Sequence, residues 1–504
     1  MRIVVEDKVF LSSGESIEPN DNFMVESDSS TVGLSGIVLN SESLSQDEIV
    51  KNITGGGTQK LYKGCYVMWY YDKENEIIYI ANDLLSKQSV YYYAKDGLIL
   101  VNTSLFDLCS DMRAYSRTPE INMAAVEYFC RENVFYGGVT YEKDTFFLTA
   151  YSYLVIDCKS KELMVKQSPI PNMQKENTLT FDDATKKLEK LFSEGCELQW
   201  EKNRIYGKDQ IMTLSGGMDS RATLLHLIRK EGADSIHTYT YAQSGSNDSR
   251  IARKLADKLH IANTFIPLDE CEFAFRRNEI INANEGQMFY IGSTGAILMA
   301  KMVKEKHNPG IVHTGLGGGE ILGDMCVTGG DERDNEEDAT INQRRNLDDI
   351  RRCLNFQKTT SRCFAAFSPF LYEDFFEYAL TIPASMRMHR KLYIKWYKQY
   401  MHSNFPSVGS HSLVAKGINR VLIKFYKIIR KRNPADMNPI QYWYDTNSEL
   451  RDYIDKTWTQ DSAALKEQGE LLRLLEHHFE QGVVKKFAVL TVTGSMIRIL
   501  GLAK

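Results

Sequence analysis

Two patterns of apolar and polar positions divide the chain. From the N-terminus to about Pro171, short apolar runs alternate with polar turns, the pattern of β-strands. Tyr66–Tyr71 and Ile77–Ile80 flank the polar turn Asp72–Glu76, and Val90–Ala94 and Leu98–Val101 flank Lys95-Asp96-Gly97. Thr145–Leu148 and Tyr153–Asp157 predict a third pair, and Met123–Cys130 is the one run read as helical. The polar segment Ser168–Thr180, with Pro169 and Pro171, predicts a linker.

Beyond the linker the period changes. Phe181–Trp200 predicts a helix, with Asp182 or Asp183 near its start. A strand over Gln210–Leu214 leads through a glycine turn into a helix ending near Lys230. A strand over His237–Tyr241 follows, then the loop Ala242–Asn247, with Asp248 as expected N-cap of a helix over Ser249–Leu259. Strand Asn263–Pro267, a helix over Gly295–Lys306 and strand Ile311–Thr314 continue the alternation. This order predicts a parallel sheet covered by helices, with ligands beyond the carboxyl ends of its strands. Ser215, the loop after Tyr241 and the glycines after Thr314 converge on that edge. Gly329–Asn346 is charged and poor in apolar residues, the pattern of a surface loop, and the remainder to Lys504 reads largely helical.

Composition narrows the class. With 504 residues, 43% hydrophobic and 25% charged, the chain has the profile of a soluble globular protein of two or three domains. A net charge of −5 gives no reason to expect nucleic-acid binding. No apolar run suits a secretory signal or a membrane span. The 9 cysteines are scattered, without a Cys-x-x-Cys pair, which predicts reduced thiols in a cytoplasmic protein.

The strand–turn–helix junction holds the chemistry. Leu214-Ser215-Gly216-Gly217-Met218-Asp219-Ser220 combines two glycines, two hydroxyls and a carboxylate. Glycines allow a tight turn, helix-terminal N–H groups suit an anion, and a carboxylate suits a hard cation on a polyphosphate. No Gly-Lys-Ser/Thr follows, so this is not a Walker loop. The run resembles the Ser-Gly-Gly-x-Asp-Ser signature of PP-loop ATP pyrophosphatases.

Further segments resemble the asparagine synthetase family. They are Tyr239-Thr240-Tyr241 with Asp248–Ala252, Glu285 with Ile291–Ala296, Thr314–Glu320, and Ser368-Pro369-Phe370-Leu371-Tyr372. In the first half, Gly64–Asp72 and Ala81–Tyr92 are similar to the family's class II glutamine-amidotransferase region. The resemblance implies an Ntn-like β-sandwich over residues 1–171 and a PP-loop parallel α/β synthetase domain with a helical C-terminal part over 172–504. It implies ATP and Mg2+ as cofactors. Leu214, Ser215, Gly216, Gly217, Met218, Asp219, Ser220, Tyr241, Thr314 and Gly315 would hold the nucleotide, and Asp219 the metal. Class II amidotransferases use an N-terminal cysteine as nucleophile. This chain begins Met1-Arg2-Ile3, Asn82 and Ser86 replace an Arg and a Gly, and the Asn-Gly-Glu glutamine motif is missing. No glutaminase activity is expected. An inactive amidotransferase fold on a PP-loop synthetase resembles β-lactam synthetases and lasso-peptide cyclases.

The synthetase segments also depart from the family pattern. Gly319 stands where a second magnesium Asp is usual, and Leu316 where asparagine-forming members carry Glu. Ala365, Phe367 and Tyr372 replace a Glu, an Arg and an Asp. Glu320 is either a ligand or a structural carboxylate, and Asp324 is a candidate replacement for the missing one. The α-phosphate cation that adenylation needs is assigned to Lys416 by order, with Lys391 and Lys395 as alternatives. Glu285 with Tyr290 or Tyr393 is a candidate base pair, set against plain packing among 27 tyrosines. Ile418–Asn433 reads as an amphipathic basic helix, either packed on the core or docking an anionic partner, leader peptide or membrane.

Two functions fit these residues. One is an AMP-forming carbon–nitrogen ligase that adenylates a carboxylate, on a small molecule or peptide, and joins it to an amine or ammonia. The other is a non-catalytic nucleotide-binding scaffold in a peptide or glycan biosynthetic complex, which Gly319 and Leu316 favour. Thiolation, a third outcome for a PP-loop, lacks the paired cysteines it needs.

Overall fold

The computed structural model describes residues 1–13, 20–41, 44–56, 61–171, 178–293, 295–323, 365–401 and 436–502. The first part is built from β1 (Arg2–Val5), β2 (Val9–Ser12), β3 (Phe23–Glu26), β4 (Ser30–Val38), helix α1 (Gln46–Thr54), β5 (Gly64–Asp72), β6 (Ile77–Asn82), β7 (Tyr91–Lys95) and β8 (Leu98–Asn102). Helices α2 (Leu105–Ala114) and α3 (Met123–Glu132) follow, then β9 (Thr145–Phe147), β10 (Ser152–Asp157) and β11 (Glu162–Gln167). Two antiparallel sheets form, in the orders β2-β1-β8-β7-β9 and β11-β10-β6-β5-β4-β3.

The sheets pack face to face, with Ile3, Val5 and Val101 against Trp69, Ile78, Ile80 and Leu154. The outer face of the larger sheet is covered by Ile49 and Ile53 of α1, packed on Leu34, Tyr66 and Met68. The outer face of the smaller sheet is covered by Leu105, Leu108 and Val126 of α2 and α3. Side chains of a strand alternate between faces, so a strand buried on both sides is apolar throughout. That is why Tyr66–Tyr71 shows an unbroken apolar run. The expected pairing of Thr145–Leu148 with Tyr153–Asp157 does not form: β9 pairs with β7, and β10 with β6 and β11, in different sheets. The connection crosses between the sheets, with Tyr151 at φ 59°. Leu148 N–H is held by Val90 O and Tyr151 N–H by Leu84 O.

The second part alternates helix and strand. It runs α4 (Phe181–Ile205), β12 (Asp209–Thr213), α5 (Met218–Glu231), β13 (Ile236–Ala242), α6 (Asn247–Leu259), β14 (Ala262–Pro267), α7 (Arg277–Asn284), α8 (Ala296–Lys306), β15 (Pro309–His313), α9 (Gly318–Leu322) and β16 (Ala366–Phe367). Thr180 caps α4 by accepting from Asp183 N–H at 3.1 Å, with Asp182 and Asp183 in the first turn. The sheet is parallel throughout, in the order β14-β13-β12-β15-β16. Neighbouring residues of β12 face opposite layers: Met212 packs with Leu224, Leu227 and Leu255, and Ile211 with the layer containing Ala300 and Val303.

Helices α10 (Glu373–Thr381), α11 (Lys391–Tyr400), α12 (Ile440–Thr446), α13 (Ser448–Ala464), α14 (Gly469–Phe479) and α15 (Val483–Ile499) complete the chain. Helix α15 is apolar on nearly every face and joins the two parts, packing on α2, α3, α7 and α13. Glu373, fully buried, pairs with Lys87 at 2.6 Å across the same boundary and accepts Gly64 N–H at 3.1 Å. No helix among the described residues is long and apolar enough to cross a membrane. Among the described residues, Cys65, Cys109, Cys130, Cys158, Cys196 and Cys271 form no disulfide.

Candidate functional site

The strand order reverses direction at β12, whose connections run to β13 on one side and, later, β15 on the other. A crevice opens beyond the carboxyl ends of strands at such a point. Here it is a cavity of about 270 Å³, lined by the end of β12 and the loop Leu214–Ser220, by Tyr239, Thr240 and Tyr241 of β13, by Thr314–Gly317 after β15, and by Asp248, Ala296, Glu320 and Met437. The expected nucleotide residues Leu214, Ser215, Gly217, Asp219, Ser220, Tyr241, Thr314 and Gly315 all line it. Gly216 and Met218 belong to the same loop and helix start without lining the cavity.

The loop is held from three sides. Ser220 Oγ accepts Ser215 N–H at 3.1 Å and lies 3.0 Å from Ser215 Oγ. Ser215 Oγ accepts Gly217 N–H at 3.1 Å. Asp248 Oδ1 accepts Gly216 N–H at 2.9 Å. Asp248 is therefore not the cap of α6. Ser246 is the N-cap, its Oγ accepting Ser249 N–H at 3.3 Å, which leaves Asp248 in the first turn with its carboxylate on the loop. Helix α5 begins at Gly217 with no side-chain cap, so its first N–H groups are left for another acceptor.

The loop after β15 presses directly onto this one. A Cβ at Gly315 would stand 2.3 Å from Ser220 N and 2.5 Å from Asp219 C, so only glycine allows the approach. Gly295, at φ 55°, lies against the side chain of Tyr241, where a Cβ would meet Cδ2, Cβ and Cγ at 2.6–2.7 Å. Burial pushes the Tyr241 phenol up to about 12. After the segment ending at residue 435, Met437 returns to the cavity, its carbonyl accepting Gln243 N–H at 2.9 Å.

Asp219 is the most heavily engaged of these residues. Its Oδ2 accepts Gly319 N–H at 3.2 Å, and its Oδ1 accepts the hydroxyl of Tyr393. Burial raises its pKa from the ordinary aspartate value, while Tyr393, the Gly319 N–H and the Arg390 and Arg221 guanidinium groups oppose that rise. Glu320 is raised chiefly by burial and further by Asp219, and Arg390 again opposes.

Other expected residues lie elsewhere. Glu285 is buried at φ 55° and accepts Leu105 N–H at 2.8 Å, serving the first turn of α2 rather than the cavity. Tyr290 packs its ring on Phe487, and its hydroxyl has no hydrogen-bond partner among the described residues. Tyr393 bonds Asp219, not Glu285. Lys391 and Lys395 do not line the cavity, and Lys395 pairs with Asp182 at 2.7 Å. Lys416, Asp324, Gly329–Asn346 and Ile418–Asn433 lie outside the described residues. Arg390, whose charge acts on Asp219 and Glu320, is a residue that the sequence did not single out. It follows His389, and both take left-handed backbone conformations at φ 56° and 58°.

Magnesium needs near-octahedral oxygen ligands, commonly one or two carboxylates plus substrate phosphates. Among the described residues no cluster of three His, Cys, Asp or Glu side chains is placed to hold a metal ion. Both oxygens of Asp219 accept protein donors, and Asp248 and Glu320 line the same cavity. One or two of these carboxylates, together with substrate phosphate oxygens, would meet what a magnesium ion needs.

No curated protein sequence matches the chain. Among solved structures it is similar to an NH3-dependent NAD synthetase from Campylobacter jejuni subsp. jejuni bound to nitrate, at 15% identity over 55% of this chain and 95% of that one, with a TM-score of 0.24. It is also similar to a glutamine-dependent NAD+ synthetase from Acinetobacter baumannii bound to ADP, at 12% identity over 42% of this chain and 45% of that one, with a TM-score of 0.20. Both scores are too low to show a shared fold. Residues 211–348, which contain both loops of the cavity, match the family model described as asparagine synthase.

Proposed function

We propose that the protein is an ATP-dependent amide-forming ligase that adenylates a carboxylate and passes it to an amine or ammonia. The carrying observation is the cavity itself. It brings the uncapped start of α5 and the hydroxyls of Ser215 and Ser220 together with Tyr239, Thr240 and Tyr241 of β13. Adenine suits the part of the cavity lined by β13, and the leaving pyrophosphate suits the N–H groups and hydroxyls of Ser215–Ser220. A substrate carboxylate attacks the α-phosphorus, pyrophosphate leaves, and the amine then displaces AMP from the acyl adenylate. In this reading Lys416 supplies the cation on the developing α-phosphate charge. The substrates are a carboxylate on a small molecule or peptide and an amine, and the setting is a cytoplasmic biosynthetic complex.

Residues 1–171 form, in this reading, an Ntn-like amidotransferase domain without glutaminase activity, set on a synthetase domain over 172–504. The helix–sheet–sheet–helix layering supports it. So does Ser86, which takes φ 57° where the resembled family has glycine. The test is ATP–pyrophosphate exchange with candidate carboxylates. Exchange with AMP formation, lost in Lys416→Ala, supports the ligase. Nucleotide binding without exchange for any carboxylate supports the scaffold reading, and formation of ADP and phosphate contradicts adenylation.

A further inference from the structure

Among the described residues, every one that lines the cavity except Met437 falls between Thr213 and Glu320, inside the stretch that matches the family model. Met437 returns from beyond that stretch and is partly buried against the core that contains Tyr241 and Ala296. Its place is set by Gln243, two positions after Tyr241 in the loop that leaves β13. Gln243 N–H donates to Met437 O at 2.9 Å, and Gln243 O accepts Ser246 N–H at 3.1 Å. The side chain of Gln243 reaches in two further directions. Its Oε1 accepts Trp443 Nε1–H at 2.5 Å, and its Nε2 donates to Asp269 Oδ1. An indole only donates and a carboxylate only accepts, so the amide has a single orientation. Asp269 also accepts Ser244 N–H at 3.1 Å. Gln243 and Trp443 are both buried, and the Trp443 ring meets Phe273 at 5.3 Å between centroids. One residue thus grips the returning chain twice, at Met437 and at Trp443 in α12. A buried amide with every polar group bonded fixes one arrangement, because any other leaves a buried group unpaired.

We propose that Met437 packs on the base of the bound nucleotide and that Gln243 is the positioning residue that holds it there, so that the helical C-terminal part completes the nucleotide site. The inference rests on the nucleotide reading above and gives the base a named contact. Asp219, Asp248 and Glu320, which line the same cavity, are carboxylates with no affinity for the face of a neutral ring. Met437 offers apolar surface instead. An unbranched thioether adapts to a flat ring and makes favourable sulfur–aromatic contacts. The loop that carries Gln243 also carries Ser246, the cap of α6, and leads to Asp248, which accepts Gly216 N–H at 2.9 Å. One loop therefore fixes the base end of the cavity relative to the glycine turn at the other.

The test is titration calorimetry of the full-length protein with ADP and with pyrophosphate, each with equimolar magnesium. Pyrophosphate carries the charge of the ligand and lacks the base. Met437→Ala is expected to weaken ADP binding about tenfold and to lower the ratio of ADP to pyrophosphate affinity by the same factor. Met437→Leu, which restores apolar bulk, recovers most of that loss. Gln243→Met, similar in length and without the amide, lowers the ratio about fivefold. In the double variant with Met437→Ala it adds less than about twofold, because both changes act on one contact. With methionine labelled at its 13C methyl, the Met437 resonance, assigned by its absence from Met437→Leu, shifts upfield with ADP through the ring current and stays in place with pyrophosphate. A Met437→Ala protein with the wild-type affinity ratio, or a Met437 methyl that ADP does not shift, overturns the inference and leaves the nucleotide reading intact. Full additivity of the two substitutions overturns the role of Gln243. Absence of ADP binding by the wild-type protein overturns the nucleotide reading, and the inference with it. If Gln243→Met does not fold, Trp443→Phe, which removes the N–H that Gln243 accepts, takes its place in the double variant.

Discussion

The two loops that meet in the cavity differ in how closely their chemistry is specified. In the first, Ser215–Ser220, each polar group has a defined place: Ser220 holds Ser215, Ser215 holds Gly217, and Asp248 holds Gly216. In the second, Thr314–Glu320, Gly315 keeps the contact with the first loop and Gly319 donates its N–H to Asp219. The first loop is thus held by its own polar groups, whereas the second is placed by a backbone approach that only glycine allows at residue 315.

Substitutions at the two glycines probe this contrast with the largest effect. Gly315→Ala forces a Cβ onto the backbone of Ser220, and is expected to destabilise the protein by about 1–3 kcal/mol and abolish ADP binding. Gly319→Ala meets neighbours at ordinary distances and should change stability by less than about 0.5 kcal/mol. Urea unfolding of both variants checks the pair; equal effects would erase the distinction between the loops.

Asp248→Ala removes the acceptor of Gly216 N–H from the first loop. The expected loss is about tenfold in ADP affinity, measured by calorimetry, as the loop end loosens.

Tyr393→Phe probes the second loop's hold on Asp219. A buried carboxyl with a raised pKa binds more protons in the native than in the unfolded state, so stability falls as pH rises through the window between the two values. Tyr393 stabilises the charged form, so its loss raises the native pKa further and widens that window. The variant's stability deficit should grow with rising pH and then level off, at a size on the order of 1 kcal/mol. Urea unfolding across the acid range measures it, and a pH-independent deficit would contradict the assigned hydrogen bond.

Glu285→Gln should have the smallest effect. Glutamine keeps an acceptor for Leu105 N–H, so exchange activity should stay within about twofold. A general base would instead cost about 10²–10⁴-fold.

Much of the fold was legible because burial imposes periodicity. The hairpins at Tyr66–Ile80 and Val90–Val101, and the strand–helix alternation from Phe181 to Thr314, follow patterns that a single sequence displays. The third hairpin was misread because Thr145–Phe147 and Ser152–Asp157 have strand character but join different sheets, which local pattern does not encode. Helix α2 was missed because only Thr103 and Ser104 separate its apolar positions from those of β8. At the site, the first loop was readable because its residues are contiguous. Asp248 looked like a cap because two residues, Ser246 and Asp248, each had suitable chemistry, and only the backbone shows which one performs it. Glu285 looked catalytic by order along the chain, and its burial against α2 is a tertiary fact. Arg390 was invisible for the same reason: it is separated from Gly319 by 71 positions in sequence and meets it only across the fold.

The most direct measurement is a crystal structure of the protein with magnesium and α,β-methylene-ATP. The expected result places adenine in the part of the cavity lined by Thr240 and Tyr241 and the β- and γ-phosphates on Ser215–Ser220. Nucleotide bound outside this cavity would contradict it.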